Sequence, residues 1–353
     1  MSGQAARVET PPRQEFFVRP WSACQSAWSK LAARANGATL YHDGRWLGLL
    51  EQAYGFEVLV AAIAAGSELL AACLLARSAN ALRPRIVALP FSDACPPLAV
   101  EPAIVPVLLE ALAGRPMARG GYEIRGAALP APWQVANCFD EWVIDLTRPR
   151  AELSRRTASH FRRQVRRAIQ NGLSVRCGSS IDDLYTFYQL MAETRHRKGL
   201  PVQPLRFFKR ALALFSPVGD LEIWSATEKG RVVAAGIALK AFDCLHYKWS
   251  ARRLGCSSGA AHLLTWSMIE RHAAMARALN LGRTDARNAG LVRFKMEAGA
   301  QAVPLPYSFY PQAPGRISAE VLSGPMLMLS QVWRRLPGFA TRTLGSALYR
   351  YLA

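Results

Sequence analysis

The chain has 353 residues, of which 51% are hydrophobic and 20% charged, enough apolar surface to offset chain entropy in two substantial cores and to exclude a disordered protein. Lys and Arg number 44 against 25 Asp and Glu, a net +19, which points to a polyanionic partner such as RNA, a phosphorylated carrier or an acidic membrane surface. The seven Cys are scattered singly, without a C-x-x-C or the His spacing of a zinc site, so no metal is expected and a reducing, cytoplasmic compartment fits best.

Met1 to Gln14 is polar and has no apolar core segment, so it reads as a frayed end, not a secretory signal. Val58 to Ala76 is apolar enough to suggest a membrane span but carries Gly66-Ser67-Glu68 at its centre. A mid-membrane acid costs about 2.5 to 3.5 kcal/mol, whereas two buried strands turning at Gly-Ser place it at a hairpin tip. With Phe161 at zero on a helix, Val165, Ala168 and Ile169 fall on one side, and Arg155, Arg156, Arg162, Arg163, Arg166 and Arg167 on the other. Clustered guanidiniums repel unless solvent or an anion compensates. The strip is therefore either a solvated face or a dock for phosphates of a carrier lipid, nucleotide sugar or tRNA, with Arg163, Arg166 and Arg167 as candidate contacts.

Leu184, Phe187, Tyr188 and Met191 make one stripe of a helix from about Asp182 to Lys198, with Ser180 and Asp183 as its capping box and Gly199 as its stop. Pro204 opens a second helix with Leu205, Phe208, Leu212 and Phe215 on one face. Strands follow at Leu221 to Thr227, Val232 to Lys240 and Cys244 to Ser250. A long helix from about Ala260 to Leu279, ended by Gly282, then puts Leu264, Met268, Met275 and Leu279 on one face. Within this second half, Gly230-Arg231-Val232-Val233-Ala234-Ala235-Gly236 echoes Gly66-Ser67-Glu68-Leu69-Leu70-Ala71-Ala72-Cys73, the turn glycines lying 164 residues apart. Similar elements surround each copy, which predicts an internal duplication.

Several segments in order resemble one family: Trp46 in an early helix, Pro90-Phe91-Ser92 after a strand, Arg162-Arg163-Gln164-Val165-Arg166-Arg167-Ala168 before Gly172-Leu173, Tyr247 before Ser250, and Phe294-Lys295 with Gly299 downstream. Across residues 16 to 311 the chain resembles the FemAB group of the GNAT superfamily, tandem transferases that attach amino acids to peptidoglycan precursors, and their exopolysaccharide-associated and BioF- or CelD-like relatives. It departs from that pattern at Asp285-Ala286-Arg287-Asn288, where the family has Asp-x-Gly-Arg, at Ala298-Gly299, where it has Trp-Gly, and in lacking a coiled-coil arm.

The resemblance and the repeat together imply an α/β (α+β) fold of tandem duplicated GNAT-like domains, each a mixed, mainly antiparallel sheet flanked by helices, with a C-terminal helical tail. The boundaries expected are 16–149, 150–315 with the catalytic cleft, and 316–353. Lys295 is the first candidate for chemistry, since a cation beside an ester or thioester carbonyl stabilises the oxyanion, a contribution of about 2.7 to 4 kcal/mol, with a surface Lys on a helix beside a core Phe as the alternative. The resemblance puts Phe294 beside it at the acceptor end and adds Trp46 and Arg287 as substrate contacts. Asp285 either orients the incoming amine or caps the helix that starts near Ala289. Tyr247 either protonates the leaving group or packs, while His246 alternates to the opposite side of the strand.

The turn Arg252-Arg253-Leu254-Gly255-Cys256-Ser257-Ser258-Gly259 approximates the family's pyrophosphate cradle for coenzyme A, making Arg253, Gly255, Ser257 and Gly259 candidate cofactor contacts, with a plain strand-to-helix turn as the alternative. No tightly bound cofactor is expected; the donor would be acyl-CoA or aminoacyl-tRNA. Cys256 has no His-Asp pair at recognisable spacing, so covalent catalysis is not expected.

The tail from Arg316 to Ala353 carries five Arg and one Glu, a net +4, and apolar Met326, Leu327, Leu329, Val332, Trp333 and Leu336; it either lies on the anionic inner leaflet or packs on the second domain. The function expected is acyl or aminoacyl transfer from a thioester or ester to an amine of a cell-envelope or exopolysaccharide precursor, phosphorylated or lipid-linked, with tRNA contact left open. The alternative is a non-catalytic basic adaptor for RNA or anionic lipid.

Overall fold

Alternating apolar segments and their turn glycines set out two similar chains of elements. The computed structural model describes residues 14–79, 84–256, 259–313 and 324–352. The first half contains β1 (Gln14–Pro20), α1 (Gln25–Arg34), α2 (Gly44–Tyr54), β2 (Val58–Ala65), β3 (Glu68–Arg77), β4 (Ile86–Val87), β5 (Leu98–Ala99), α3 (Val105–Ala113), β6 (Tyr122–Arg125) and β7 (Gln134–Asp145). Two helices, α4 (Arg150–Arg156) and α5 (Ser159–Gln170), lead into the second. It continues with β8 (Ser174–Gly178), α6 (Ile181–Arg197), α7 (Leu205–Phe215), β9 (Leu221–Glu228), β10 (Arg231–Ala241), β11 (Cys244–Arg252), α8 (Ala260–His272), β12 (Ala278–Asp285), α9 (Ala289–Glu297) and β13 (Gln301–Tyr310). An appendage of α10 (Gly324–Arg335), α11 (Gly338–Leu348) and a short turn of 3₁₀ helix, Tyr349–Leu352, completes the chain.

The apolar stretch at 58–76 is the expected hairpin: β2 and β3 pair antiparallel across Gly66-Ser67 and are almost wholly buried. Its echo, β9 with β10, pairs the same way across Lys229-Gly230. Among the described residues no helix is long and apolar enough to cross a membrane. Ser180 and Asp183 form the reciprocal capping box that starts α6.

All strands but β5 lie on one path, in the order β1-β2-β3-β4-β6-β13-β7-β12-β11-β10-β9-β8, and β5 pairs with β3. Matching β1 to β8, β2 to β9, β3 to β10, β4 to β11, β6 to β12 and β7 to β13 turns that order into its own reverse. The chain is thus a tandem duplication, and each half gives its closing strand to the other: β13 pairs with β6 and β7 with β12. Parallel pairing occurs at the equivalent places β4–β6 and β11–β12. One apolar core joins α1, α2 and α3 of the first half to α6 and α7 of the second, and another lies beneath α4, α5 and α8.

The helix expected over 260–279 is two elements. It stops at His272; Ala274, at φ 58°, turns the chain by donating to the Leu146 carbonyl, and Ala278 to Asn280 then pair in parallel with Cys244 to His246. Met275, assigned to the buried stripe, is 78% exposed in that turn, and Gly282 lies inside β12. Long-range pairing outweighed a helical spacing that local sequence supported. Two assignments on α5 also change: Ile169 is exposed, and Arg162 turns inward to donate to the carbonyls of Ser154 and Thr157, both at 2.7 Å.

Of the two readings of the tail, packing is the one seen. His196 Nε2 lies 2.9 Å from the Leu336 carbonyl, and Ser330, Trp333 and Thr341 are buried. Arg316 and the side chains of Met326, Leu327 and Leu329 lie outside the described residues.

Candidate active site

Two β-bulges, one on each strand of a parallel pair, make the site. β11 and β12 pair only over Cys244–His246 and Ala278–Asn280. Beyond that point Lys248 is an extra residue in β11 opposite β10, where Tyr247 faces Ala238 and Trp249 faces Ile237. In β12 the register against β7 shifts between Asn280 and Arg283, around Gly282 at φ 78°. Bulges bend strands and re-aim side chains, so the two strands part and leave backbone donors and acceptors without a ladder. Between them opens a cavity of about 450 Å³.

Both halves line it. The first supplies Trp46 from α2, Phe91, Ser92 and Asp93 from the loop after β4, and Arg125 from β6; the second supplies Arg195, Gln203, Tyr247 to Ser250, Leu281 to Arg283, Leu291, Phe294 and Lys295; the appendage supplies Tyr349. Among these residues five cations face one acid, Asp93.

Asp93 joins the halves. Its Oδ2 accepts from Lys248 Nζ and from the Tyr41 hydroxyl, both at 2.7 Å, and Arg283 Nε lies 3.7 Å from Oδ1. Burial alone would raise the Asp93 carboxyl, but Lys248 and Arg283 outweigh it and hold the group well below the usual carboxylate range. Burial lowers the Lys248 ammonium while Asp93 opposes the shift, and the ammonium also sits 4.7 Å over the Tyr41 ring. Arg283 donates to the Tyr307 hydroxyl at 2.6 Å, and Arg125 is tied to Glu123 and to the Ser92 carbonyl. The Arg195 side chain makes no hydrogen bond or ion pair among the described residues, and its charge bears on Tyr349.

The residues expected from sequence divide. Trp46, Tyr247, Phe294 and Lys295 come together in the cavity wall. Lys295, 4% exposed, donates to the Gly282 carbonyl at 2.8 Å and to Thr284 Oγ1 at 2.6 Å, so its charge sits directly behind the β12 bulge. Phe294 is held by Phe161 and His262, at centroid distances of 5.7 and 5.1 Å. Burial pushes the Tyr247 phenol well above its ordinary value, so it stays protonated. His246 does face the other way, toward Tyr41.

The other candidates lie elsewhere. Asp285 is buried and accepts from Arg287, from the backbone N and Nε at 2.9 Å and from Nη2 at 2.6 Å; neither residue lines the cavity. Asn288, not Asp285, caps α9. Arg163, Arg166 and Arg167 are exposed on α5, and none lines the cavity. Arg253 reaches Glu193 at 3.5 Å. Gly255 stands in a turn at φ 75°, and Gly259 lies so close to the Gln164 carbonyl that a Cβ would collide with α5; helix packing therefore accounts for that glycine without a phosphate. Ser257 lies outside the described residues. Among the described residues no group of His, Cys, Asp or Glu could hold a metal.

Sequence reasoning missed Asp93, Lys248, Arg283, Arg195 and Tyr349. Two had a signal: Asp93 directly follows Pro90-Phe91-Ser92, and Lys248 is a charge in the middle of a largely apolar strand.

A duplicated sheet with a splayed parallel pair opening on a cavity between the halves defines a tandem acyltransferase-type fold. Residues 155–296 match the family model described as an acetyltransferase (GNAT) domain. The chain is 26% identical over 112 residues to the UDP-N-acetylmuramoylpentapeptide-lysine N(6)-alanyltransferase of Weissella viridescens. That stretch is 32% of this chain and about a third, 33%, of the relative. Among solved structures, FemX superposes with a TM-score of 0.62 at 12% identity, over 84% of this chain and 96% of that one. A tandem GNAT protein from the clavulanic acid biosynthesis pathway superposes at 0.54, also with 12% identity, over 86% and 100%. Residues 155–296 thus match a GNAT domain, and over most of its length the chain shares the fold of FemX and of the tandem GNAT protein.

Proposed function

We propose that this protein is an N-acyltransferase that moves an acyl or aminoacyl group from an activated thioester or ester to an amine of a cell-envelope or exopolysaccharide precursor. The observation that carries this reading is the pair of facing bulges at Lys248 and Gly282, which opens β11 from β12 into a cavity lined by Phe294 and backed by Lys295. Unpaired strand edges accept an extended acyl arm by backbone hydrogen bonds. The amine nitrogen attacks the carbonyl carbon, the C–N bond forms, and the carbonyl π electrons pass to oxygen; collapse expels the thiolate or ribose oxygen, which takes up a proton as the amine gives one to solvent. Lys295 and Lys248 supply positive charge to the oxyanion, and Tyr247 donates a hydrogen bond. Holding both substrates in one cavity contributes up to about 7 to 11 kcal/mol.

The excess of cations over Asp93 favours a phosphorylated or lipid-linked acceptor, with Arg195 free to fork an anionic group. The donor is acyl-CoA or aminoacyl-tRNA, and the exposed arginines of α5 suit tRNA phosphates. A peripheral position on the inner face of the cytoplasmic membrane follows from a lipid-linked acceptor. The test is transfer of a radiolabelled acyl group from acetyl-CoA or alanyl-tRNA to nucleotide- and lipid-linked precursors. Turnover by the wild type that is lost in Lys295→Met, with the circular dichroism spectrum unchanged, supports the reading. A biological phenotype untouched by Lys295→Ala would favour the non-catalytic adaptor.

A further inference from the structure

We infer that the outer side of α11 and the turn after it form a docking surface for an anionic lipid bilayer, and that docking brings the rim of the cavity to the lipid. Leu344, Leu348 and Tyr351 follow one another at helical spacing and are 45%, 45% and 55% exposed. Val332 on α10 is exposed beside the exposed Arg334 and Arg335, and Arg342 is exposed on α11. From Val321 to Ala353 the chain has four Arg and neither Asp nor Glu.

Charge selects the occupant: an acid-free, arginine-bearing segment with exposed apolar side chains complements anionic headgroups, where each arginine at the surface strengthens binding roughly fivefold. At 12 and 11 residues the two helices are too short to span and suit the plane of the interface. They do not have to fold on lipid, because their inner side is already fixed through Trp333, Thr341 and the His196 contact to Leu336.

The position of the patch gives it a purpose. Leu348 faces outward, and the next residue, Tyr349, packs on Phe91 at 5.1 Å and on Tyr54 at 6.2 Å in the cavity wall. Adjacent residues thus serve the lipid-facing side and the cavity, an arrangement fitting an acceptor whose anionic head enters while its lipid stays in the bilayer. This deepens the peripheral position proposed above and does not depend on the transfer chemistry.

The test is flotation of the full chain with phosphatidylcholine vesicles, with and without phosphatidylglycerol. Wild type is expected to float with the anionic vesicles only and to be released by high salt. Leu344→Ser/Leu348→Ser/Tyr351→Ser and Arg334→Ser/Arg335→Ser/Arg342→Ser are each expected to lose about tenfold or more in partitioning, with melting unchanged because the side chains are exposed. Failure of wild type to float, or variants that float equally well, overturns the inference. So does a dimer in sedimentation velocity that the apolar variant dissociates while wild type ignores vesicles, since a second copy would then be the occupant. A Lys295→Met protein that floats but transfers nothing leaves docking standing, so the two proposals fail separately.

Discussion

Asp93 and Lys248 meet from loops and strands 155 residues apart, and the energetics of that contact are those of a buried charge pair. Lys248→Met leaves Asp93 buried with Arg283 as its remaining cation, a loss of about 3 kcal/mol expected in urea unfolding. Adding Asp93→Asn removes the uncompensated charge and is expected to recover most of that loss; a double variant as unstable as the single one would contradict the pairing. Lys295→Met strands the Gly282 carbonyl and is expected to cost about 1 to 3 kcal/mol in addition to turnover.

The buried histidines give the pH dependence. Burial holds His42 at about 4 and His246 at about 3, both below the ordinary value of about 6.5 kept in the unfolded chain. Folding therefore fixes them neutral. Their contribution is complete above about pH 6.5 and falls as the unfolded state takes up protons toward pH 4, at up to about 1.4 kcal/mol per pH unit for each. Melting curves over that range check it, and His246→Phe is expected to flatten the slope; an unchanged slope would mean that His246 is already charged in the fold.

At this scale the sequence made part of the site legible. Lys295 and Phe294 stand in a short helix after a strand, and Trp46 and Tyr247 sit at positions a family pattern marks. Asp93 has no chemical meaning until Lys248 arrives from the other half, and no local spacing announces that meeting.

Among the elements, the bulges of β11 and β12 decide where the cavity lies, and neither was readable. A bulge is a mismatch of register between two strands, so it exists only once the partner is known. The same dependence explains the misread helix: Leu264, Met268, Met275 and Leu279 share a helical face on paper, but Leu279 pairs with Leu245 in a parallel ladder. The hairpins at Gly66 and Gly230, by contrast, rest on local turn chemistry and were legible.

Gly282→Ala tests the β12 bulge. A Cβ there would meet only Asp93 Oδ2, at 3.8 Å, so space permits it, while φ 78° does not. A cost of about 1 to 2 kcal/mol is expected, relieved by local refolding of the bulge, with turnover falling more than stability. Stability and turnover both at wild-type level would show that the bulge is not required.

Over the whole molecule, the duplication was visible as a repeat, but the exchange of closing strands was not. Because β13 lies between β6 and β7, and β7 between β13 and β12, neither half can complete its sheet alone. Chains cut near residue 149 are expected to be insoluble when expressed singly and to assemble when expressed together, with one cooperative transition in calorimetry. Two separable transitions would contradict a fused sheet. The exchange also places the cavity where residues of both halves converge, so the site depends on the joined molecule.

The most direct measurement of the central claim is amide hydrogen exchange with and without an unreactive donor, either a thioether analogue of acetyl-CoA or an amide-linked alanyl minihelix. Protection concentrated in Tyr247–Arg252 and Leu281–Asp285 is the expected result, because the acyl arm would pair with the edges of the parted strands. Protection confined to the arginines of α5, or none at any donor concentration, would contradict transfer between β11 and β12.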